Sequence, residues 1–143
     1  FGAYLNGATA TEPTGPVNAS FQKRVAAIWK KSTGKKLVDF TYAASSYDAV
    51  IVAALAATVA GKTDGTSIKK KLTSITNGKV KVTSFKAAVA AIKAGKKIDY
   101  RGVSGPIDFD KNGDPAGGTI GIFKYGPTGS NTLTKVIAAN SAK

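Results

Sequence analysis

The chain is 143 residues long, contains no Cys, His or Met, and carries 21 Lys and Arg against 8 Asp and Glu, for a net charge of +13 at pH 7. Without thiolates, imidazoles or thioethers it lacks the usual nucleophiles and soft metal ligands, which excludes hydrolase triads and zinc sites. The length predicts one domain. No apolar run reaches the ~18 residues of a membrane-spanning helix, so a soluble chain is expected.

The first part of the chain predicts one helix between two non-helical stretches. Thr, Pro and Gly are frequent over residues 8–16, which indicates a loop. Apolar residues then recur at helical spacing and predict a helix over 18–31, ended by a Ser-Thr-Gly stop. Apolar and polar residues alternate over 37–42, so this stretch is predicted to be extended.

The middle of the chain predicts three more helices. Ser45 and Asp48 have the S-x-x-D spacing of a helix start, and the apolar run behind them predicts a largely buried helix that Gly61 ends. Shorter helices are predicted over 66–73 and 84–94, where apolar residues again recur at helical spacing.

The last third predicts strands. Ile107 and Phe109 alternate with acidic residues, and a turn at Asn112 precedes two further predicted strands over 119–125 and 132–138. Helices followed by mostly antiparallel strands do not form a clean β-α-β alternation. The pattern therefore predicts an α/β chain that is part of a larger body.

Three stretches, taken in order, resemble a known family. They are YAASSYDA over 42–49, GVSGPIDFDKNGD over 102–114 and TIGIFKY over 119–125. Together they resemble the type 1 extracellular solute-binding proteins of branched-chain amino-acid transporters, the leucine/isoleucine/valine-binding type. The resemblance implies a type 1 periplasmic-binding-protein fold with helices on a mixed sheet and antiparallel C-terminal strands. This chain would be its C-terminal portion, a single structural unit over 1–143.

The resemblance also implies a function without catalysis or cofactor. A protein of this family is the substrate-binding component of an ABC importer, extracellular or attached to the cell envelope as a lipoprotein. Its implied partners are a small amino-acid ligand, the transporter's membrane subunits, and the missing N-terminal part of the same protein or a swapped neighbour. Because the chain opens at Phe1, a processed product or a fragment is expected, and alone it would hold half a pocket.

The candidate ligand contacts lie at the start of the long predicted helix. By resemblance Tyr42 is an aromatic wall for an aliphatic side chain, with an ordinary core aromatic as the alternative. Ser45, Ser46 and Asp48 are interpreted either as a helix N-terminus offered to a ligand carboxylate or as plain N-capping. Tyr47 completes the candidate set.

The excess of Lys supports a second hypothesis, a stand-alone cationic module that binds nucleic acid, a cell-wall polymer or a membrane surface. All but two of the 21 basic residues are Lys, so the charge is diffuse rather than sequence-reading. A solvated surface is the alternative. The candidate polyanion-binding residues are Lys30, Lys31, Lys35, Lys36, Lys69, Lys70, Lys71, Lys96, Lys97 and Arg101.

One acidic loop imitates a metal site. Asp108, Asp110, Asn112 and Asp114 have the spacing of the first part of a calcium loop, but the twelfth position is Thr119 rather than Glu. A solvated turn between strands is therefore predicted, and no metal is expected.

Overall fold

A computed structural model describes residues 2–13 and 18–140. The helices are α1 (Ala19–Thr33), α2 (Ala43–Ala60), α3 (Gly65–Lys69) and α4 (Phe85–Lys93), with single 3-10 turns at Gly2–Leu5 and Leu72–Ile75. The strands are β1 (Thr9–Pro13), β2 (Val80–Val82), β3 (Ile98–Gly102), β4 (Gly105–Pro106), β5 (Gly117–Tyr125) and β6 (Asn131–Asn140). The predicted α/β class is confirmed.

The strands form two three-stranded sheets. In the order β1-β5-β6 all pairing is antiparallel, with Thr9 opposite Lys124 and a register shift between Ile122 and Phe123. In the order β2-β3-β4, β2 is parallel to β3 and β3 is antiparallel to β4. The first sheet thus joins segments from opposite ends of the chain, while the second is built from its middle.

The hydrophobic core lies between α2, α4 and the β2–β3 pair. Val52, Leu55 and Ala56 present one face of α2 to it, as helical spacing requires. Burying a Val or Leu side chain contributes roughly 1.5–3 kcal/mol relative to leaving it exposed. The other buried members are Ile75, Val82, Ala88, Ile98 and Tyr100.

The long helix α2 has 18 residues and is apolar enough to cross a membrane by length and composition. Core helices of α/β proteins meet the same criterion. In this structure one face of α2 contributes to the core, and Asp48 is buried on it. Packing therefore accounts for the apolar residues on that face of α2, while others, such as Val50 with 69% of its surface exposed, lie outside the core.

Two helices predicted from the sequence are confirmed together with their end signals. The Asn18 side chain accepts the Phe21 N–H at 2.8 Å at the start of α1, and Gly34 ends that helix with a φ of 71°. The Ser84 hydroxyl accepts the Ala87 N–H at 3.3 Å at the start of α4. Each cap satisfies a backbone group that the helix itself leaves unpaired.

One prediction near the start of the chain is wrong. The predicted loop over 8–16 contains β1, an edge strand whose last residue, Pro13, needs no N–H for the ladder. The segment over 37–42, predicted to be extended, pairs with no strand and ends in a turn at 41–42. There the Asp39 carboxylate accepts the Thr41 N–H at 2.8 Å, which stabilises the local turn.

Two later predictions are also corrected. The single helix predicted over 66–73 is divided into α3 and a 3-10 turn, because the Lys71 N–H donates to the Ile68 carbonyl and ends the α-helical bonding. The strand predicted at Ile107 and Phe109 is reduced to one bridge between Phe109 and Pro115. The predicted strands over 119–125 and 132–138 are confirmed as parts of β5 and β6.

Candidate ligand-binding site

The helix that carries the candidate ligand contacts begins at Ala43, before the predicted start at Ser45. Tyr42 occupies the N-cap position without a side-chain cap, and its carbonyl accepts the Ser46 N–H at 2.9 Å. Ser45 therefore lies inside the first turn, so the interpretation of Ser45 and Asp48 as a capping pair is wrong.

Asp48 is 1% exposed and its carboxylate is fully engaged within the chain. Oδ1 accepts the Tyr100 hydroxyl at 3.0 Å and the Val103 N–H at 3.1 Å. Oδ2 accepts the Ser104 N–H at 2.7 Å and the Ser104 hydroxyl at 2.6 Å. Since a carboxylate offers about four acceptor positions, these bonds fill it. Asp48 thus ties α2 to the β3–β4 turn.

Two neighbours of Asp48 are fixed by it. Burial, followed by the charge of Asp48 and the hydrogen bond to it, raises the pKa of the Tyr100 phenol well above its usual range. Gly102 leaves room for the carboxylate, because a Cβ at this position would collide with the Asp48 side chain. The connection between α2 and β3 therefore depends on all three residues.

Tyr47 is engaged with α1. Its ring meets that of Phe21 edge to face, with centroids 5.4 Å apart and an interplanar angle of 73°. The Arg24 guanidinium lies 5.5 Å from the centroid of each ring. The aromatic pair and the cation–π contacts stabilise the packing of α1 against α2, in addition to the burial of Phe21. The structure thus gives Tyr47 a part in attaching α1 to α2.

The remaining candidates, Tyr42, Ser45 and Ser46, are exposed on the first turn of α2. Tyr42 has 58% of its surface exposed, so it is not a core aromatic in this structure. Ser45 faces the cleft beside α2.

This cleft has a volume of about 390 Å³. One of its walls is a single face of α2, formed by Ser45, Asp48, Ala49 and Val52 at helical spacing. A concave, mainly apolar space with a few polar groups is typical of small-molecule sites, and this volume lies within their usual range. The other walls are formed by Pro13, Ser104, Pro106, Ile107, Asp108, Phe109, Pro115, Gly117, Gly118 and Thr119.

The family model of the receptor family ligand binding region matches residues 3–128. The chain belongs to this family. In the solved structures it is similar to the leucine binding protein LivK from Thermotoga maritima, with a TM-score of 0.57 and 21% identity. That match covers 95% of this chain but 32% of the other, so the chain spans about a third of the length of LivK. No curated protein matches it.

The fold of this receptor-family chain is the predicted one, that of the type 1 periplasmic binding proteins. The family and the similar structure are both binding proteins by name. Of the five ligand contacts predicted from the sequence, Ser45 and Asp48 line the cleft, Tyr42, Ser46 and Tyr47 are not among its lining residues, and the wall beyond Ser104 was not predicted. The signal was present in the GVSGPIDFDKNGD stretch, which carried the family resemblance without indicating contacts.

The lysines that the sequence analysis singled out in this receptor-family chain are all exposed. Lys30 and Lys31 lie in the last turn of α1, and Lys69 ends α3. The structure brings Lys71 together with Lys96 and Lys97 around a cleft of about 400 Å³. Lys71, from one predicted basic patch, thus shares a surface with Lys96 and Lys97, which form another.

Arg101 is separate from the lysines. It pairs with Asp99 at 2.6 Å and approaches Asp108 at 3.6 Å, so its charge is compensated by carboxylates. The acidic loop after it forms the predicted turn, in which Asp110 accepts the Asn112 and Asp114 N–H groups at 2.8 and 2.9 Å.

Proposed function

We propose that this chain is the C-terminal part of a non-catalytic solute-binding protein of an ABC importer. The solute would be a branched-chain amino acid or a related small amino acid or amide, captured outside the cell or at its envelope. The observation that carries the proposal is the apolar 390 Å³ cleft against one face of α2, in a chain of a ligand-binding family. The likeness to the fold of a leucine binding protein supports it.

The cleft offers a place for each end of such a ligand. Its apolar walls suit an aliphatic side chain, because contact with them removes that side chain from water. Ser45 lines the cleft at the first turn of α2, where the helix dipole favours a carboxylate, and Tyr42 and Ser46, exposed beside it but outside the cleft lining, would contact the part of the ligand that extends beyond the cleft. The network of Asp48, Tyr100 and Ser104 would hold this wall rigid.

The ligand's ammonium group needs a different partner. A buried ammonium must be paired with an acceptor, and the Asp48 carboxylate is already filled by four hydrogen bonds. We therefore expect the acid that pairs with it to lie in the part of the protein that this chain does not span. The transporter subunits and that remaining part are the proposed partners.

Calorimetry on the full-length protein that contains this chain tests the proposal. Leucine, isoleucine, valine and small aliphatic amides are titrated into the protein, and saturable heat is expected from at least one. Tyr42→Ala should weaken binding about tenfold, since burying about 50 Å² of apolar surface between the ring and an aliphatic side chain contributes roughly 1.3 kcal/mol. Tyr4→Ala is the matched control, because Tyr4 is 94% exposed. Absence of heat from every ligand refutes the proposal.

A second candidate function rests on the lysine cleft. Lys71, Lys96 and Lys97 meet around it, beside the side chains of Ser74 and Asn77, in a chain of net charge +13. Such a site suits an anionic polymer such as nucleic acid, a cell-wall polymer or an anionic membrane surface, through charge rather than sequence.

Binding to heparin and to double-stranded DNA at two salt concentrations tests this candidate. Affinity should fall steeply as salt rises, and Lys96→Gln with Lys97→Gln should reduce it more than the same change at Lys30 and Lys31. The two double variants remove equal charge, so the comparison separates a site from general attraction. No association at low salt would rule the function out.

A further inference from the structure

The helix α1 has an apolar stripe that the rest of the chain covers at one end only. Phe21, Val25, Ile28 and Trp29 recur at helical spacing, so their side chains lie on one face. Along α1, all of which the structure describes, Phe21 is the one buried residue. Ile28 and Trp29, further along the same face, have 62% and 43% of their surface exposed. The second half of the stripe is therefore accessible to a partner.

The polar side of α1 is basic. At helical spacing Lys23 and Lys30 lie opposite the stripe, while Arg24 and Lys31 lie along one edge of it. No acidic residue occurs over 13–38, and none of the basic residues there forms a salt bridge within the described parts of the chain. The basic residues of this segment are Lys23, Arg24, Lys30, Lys31, Lys35 and Lys36. A partner that contacts the stripe therefore meets positive charge that no carboxylate of the segment offsets.

An exposed apolar stripe on an otherwise basic helix fits the surface of an anionic lipid bilayer. A helix of this kind lies along the bilayer, with its apolar side chains among the acyl chains and its basic side chains near the headgroups. Tryptophan suits this depth, because its ring is apolar and its N–H is polar. Lys23 and Lys30, on the far side of a helix about 10 Å across, still lie within about one Debye length of the lipid charges at ~0.1 M salt.

A second copy of this chain fits the stripe less well. It would bring another segment with the same basic residues and no acidic residue, so the two segments would repel each other. Anionic lipids supply both the opposite charge and the apolar layer in one surface.

We propose that α1 binds the surface of an anionic lipid bilayer, with Ile28 and Trp29 inserted among the lipids and Lys31 at the headgroups. No residue of α1, which is described in full, lines the cleft beside α2 or the lysine cleft. The proposal is therefore independent of both functions proposed above, and it adds the insertion of apolar side chains to attraction by charge.

Trp29 makes this binding directly measurable, because it is the one tryptophan of the 143-residue chain. The chain is titrated with vesicles of phosphatidylglycerol and phosphatidylcholine in equal parts. Trp29 emission should shift to shorter wavelength, and lipids brominated along the acyl chain should quench it. Vesicles of phosphatidylcholine alone should bind at least about tenfold more weakly, since they lack the opposite charge.

A pair of matched variants tests the insertion. Ile28→Ala should weaken partitioning into the anionic vesicles at least about tenfold, because the methyl and methylene groups that it removes no longer enter the apolar layer. Val50→Ala is the control and should leave partitioning unchanged, because Val50 is 69% exposed but lies on α2.

A second pair of variants tests the charge. Lys30→Gln with Lys31→Gln should weaken partitioning at least about threefold, since each removes a cation near the lipid surface. Lys96→Gln with Lys97→Gln removes equal charge from the lysine cleft and should weaken partitioning less. With heparin and DNA the expected order of these two variants is the reverse.

Several outcomes would overturn the proposal. They are the absence of an emission shift with anionic vesicles, no quenching by brominated lipids, equal partitioning of Ile28→Ala and Val50→Ala, and equal loss in the two lysine variants. Self-association without lipid that Ile28→Ala abolishes would assign the stripe to a second copy instead. If the chain sediments with anionic vesicles but the full-length protein that contains it does not, another part of that protein covers the stripe and the proposal fails. If Ile28→Ala does not fold, quenching by brominated lipids decides, since it needs no variant.

Discussion

At the scale of single residues, Asp48 and Gly102 form a matched pair. The buried carboxylate occupies the space that a side chain at position 102 would need. Gly102→Ala should therefore displace Asp48 from its donors and lower the free energy of unfolding by about 2–4 kcal/mol, in the range of hydrogen-bond loss and overpacking combined. Urea unfolding measures this loss.

Gly65→Ala is the control for that substitution. Nothing lies within 4 Å of a Cβ at Gly65, which begins α3. The change should be neutral or stabilising by up to about 1 kcal/mol, because alanine restricts the unfolded chain. A Gly102→Ala protein as stable as Gly65→Ala would contradict the assigned role of Asp48.

The raised pKa of Tyr100 predicts a loss of stability at alkaline pH. Burial first, and then the adjacent Asp48, raise its pKa above the ordinary 10.0. A group whose pKa is higher in the folded state stabilises the fold fully below its unfolded pKa. That contribution is lost as the pH rises through and above about 10.

Comparison of the wild type with Tyr100→Phe isolates this effect. At pH 8 the variant should be less stable by about 1.5–3 kcal/mol, since it lacks the bond to the Asp48 carboxylate. The difference between the two proteins in the free energy of unfolding, measured with urea, should narrow between pH 10 and 11.5. A difference that stays constant over that interval would mean that the Tyr100 phenol is not stabilised in its neutral form.

At the scale of elements, α1 depends on one buried ring. Phe21 is 2% exposed and packs on Tyr47, whereas Ile28 on the same helix is 62% exposed. Phe21→Ala should lower stability by about 3 kcal/mol, and hydrogen exchange should accelerate in α1 more than in α4. Ile28→Ala should leave both helices protected. Equal acceleration of α1 and α4 would contradict a separate attachment of α1.

The sequence predicted those elements whose signals are local. The helix α4 has its Ser84 cap, its apolar spacing and a stop at Gly95, all within one short stretch. The end of α2 at Gly61 was predicted for the same reason, and its start was not. Ser45 and Asp48 have the spacing of a cap, but distant donors on Tyr100 and Ser104 bind the carboxylate instead.

Elements and site walls that depend on distant partners were missed. The strand β1 contains Thr and Pro and gains its strand character only by pairing with β5. The strand β3 is short and contains charged residues, and it pairs with β2 across α4. The cleft was only partly predictable for the same reason. Its α2 face follows from local helical spacing, whereas the wall beyond Ser104 is formed by tertiary contacts that the sequence does not show.

At the scale of the whole molecule, the charge of +13 is hardly compensated by ion pairs. Both salt bridges found among the described residues involve Arg101, so the lysines repel one another without opposite partners at contact distance. Salt should relieve this repulsion. The melting temperature should rise between 10 and 100 mM NaCl, as the Debye length falls from about 30 to about 10 Å.

Replacing Lys69, Lys70 and Lys71 together with Gln provides the control. The variant has fewer like charges to screen, so its melting temperature should rise less over the same interval. A melting temperature that falls with salt in the wild type would show that favourable charge pairs dominate over repulsion.

The pairing of β1 with β5 sets an order for folding. Thr9 and Lys124 are paired in the ladder although nearly the whole chain separates them. Bringing the two strands together costs the entropy of closing this long loop before the strand contacts can offset it. The β2–β3 pair needs only the short α4 connection to form. During synthesis β1 therefore leaves the ribosome before β5 and remains without this partner until β5 follows, so its edge is open to aggregation in the meantime.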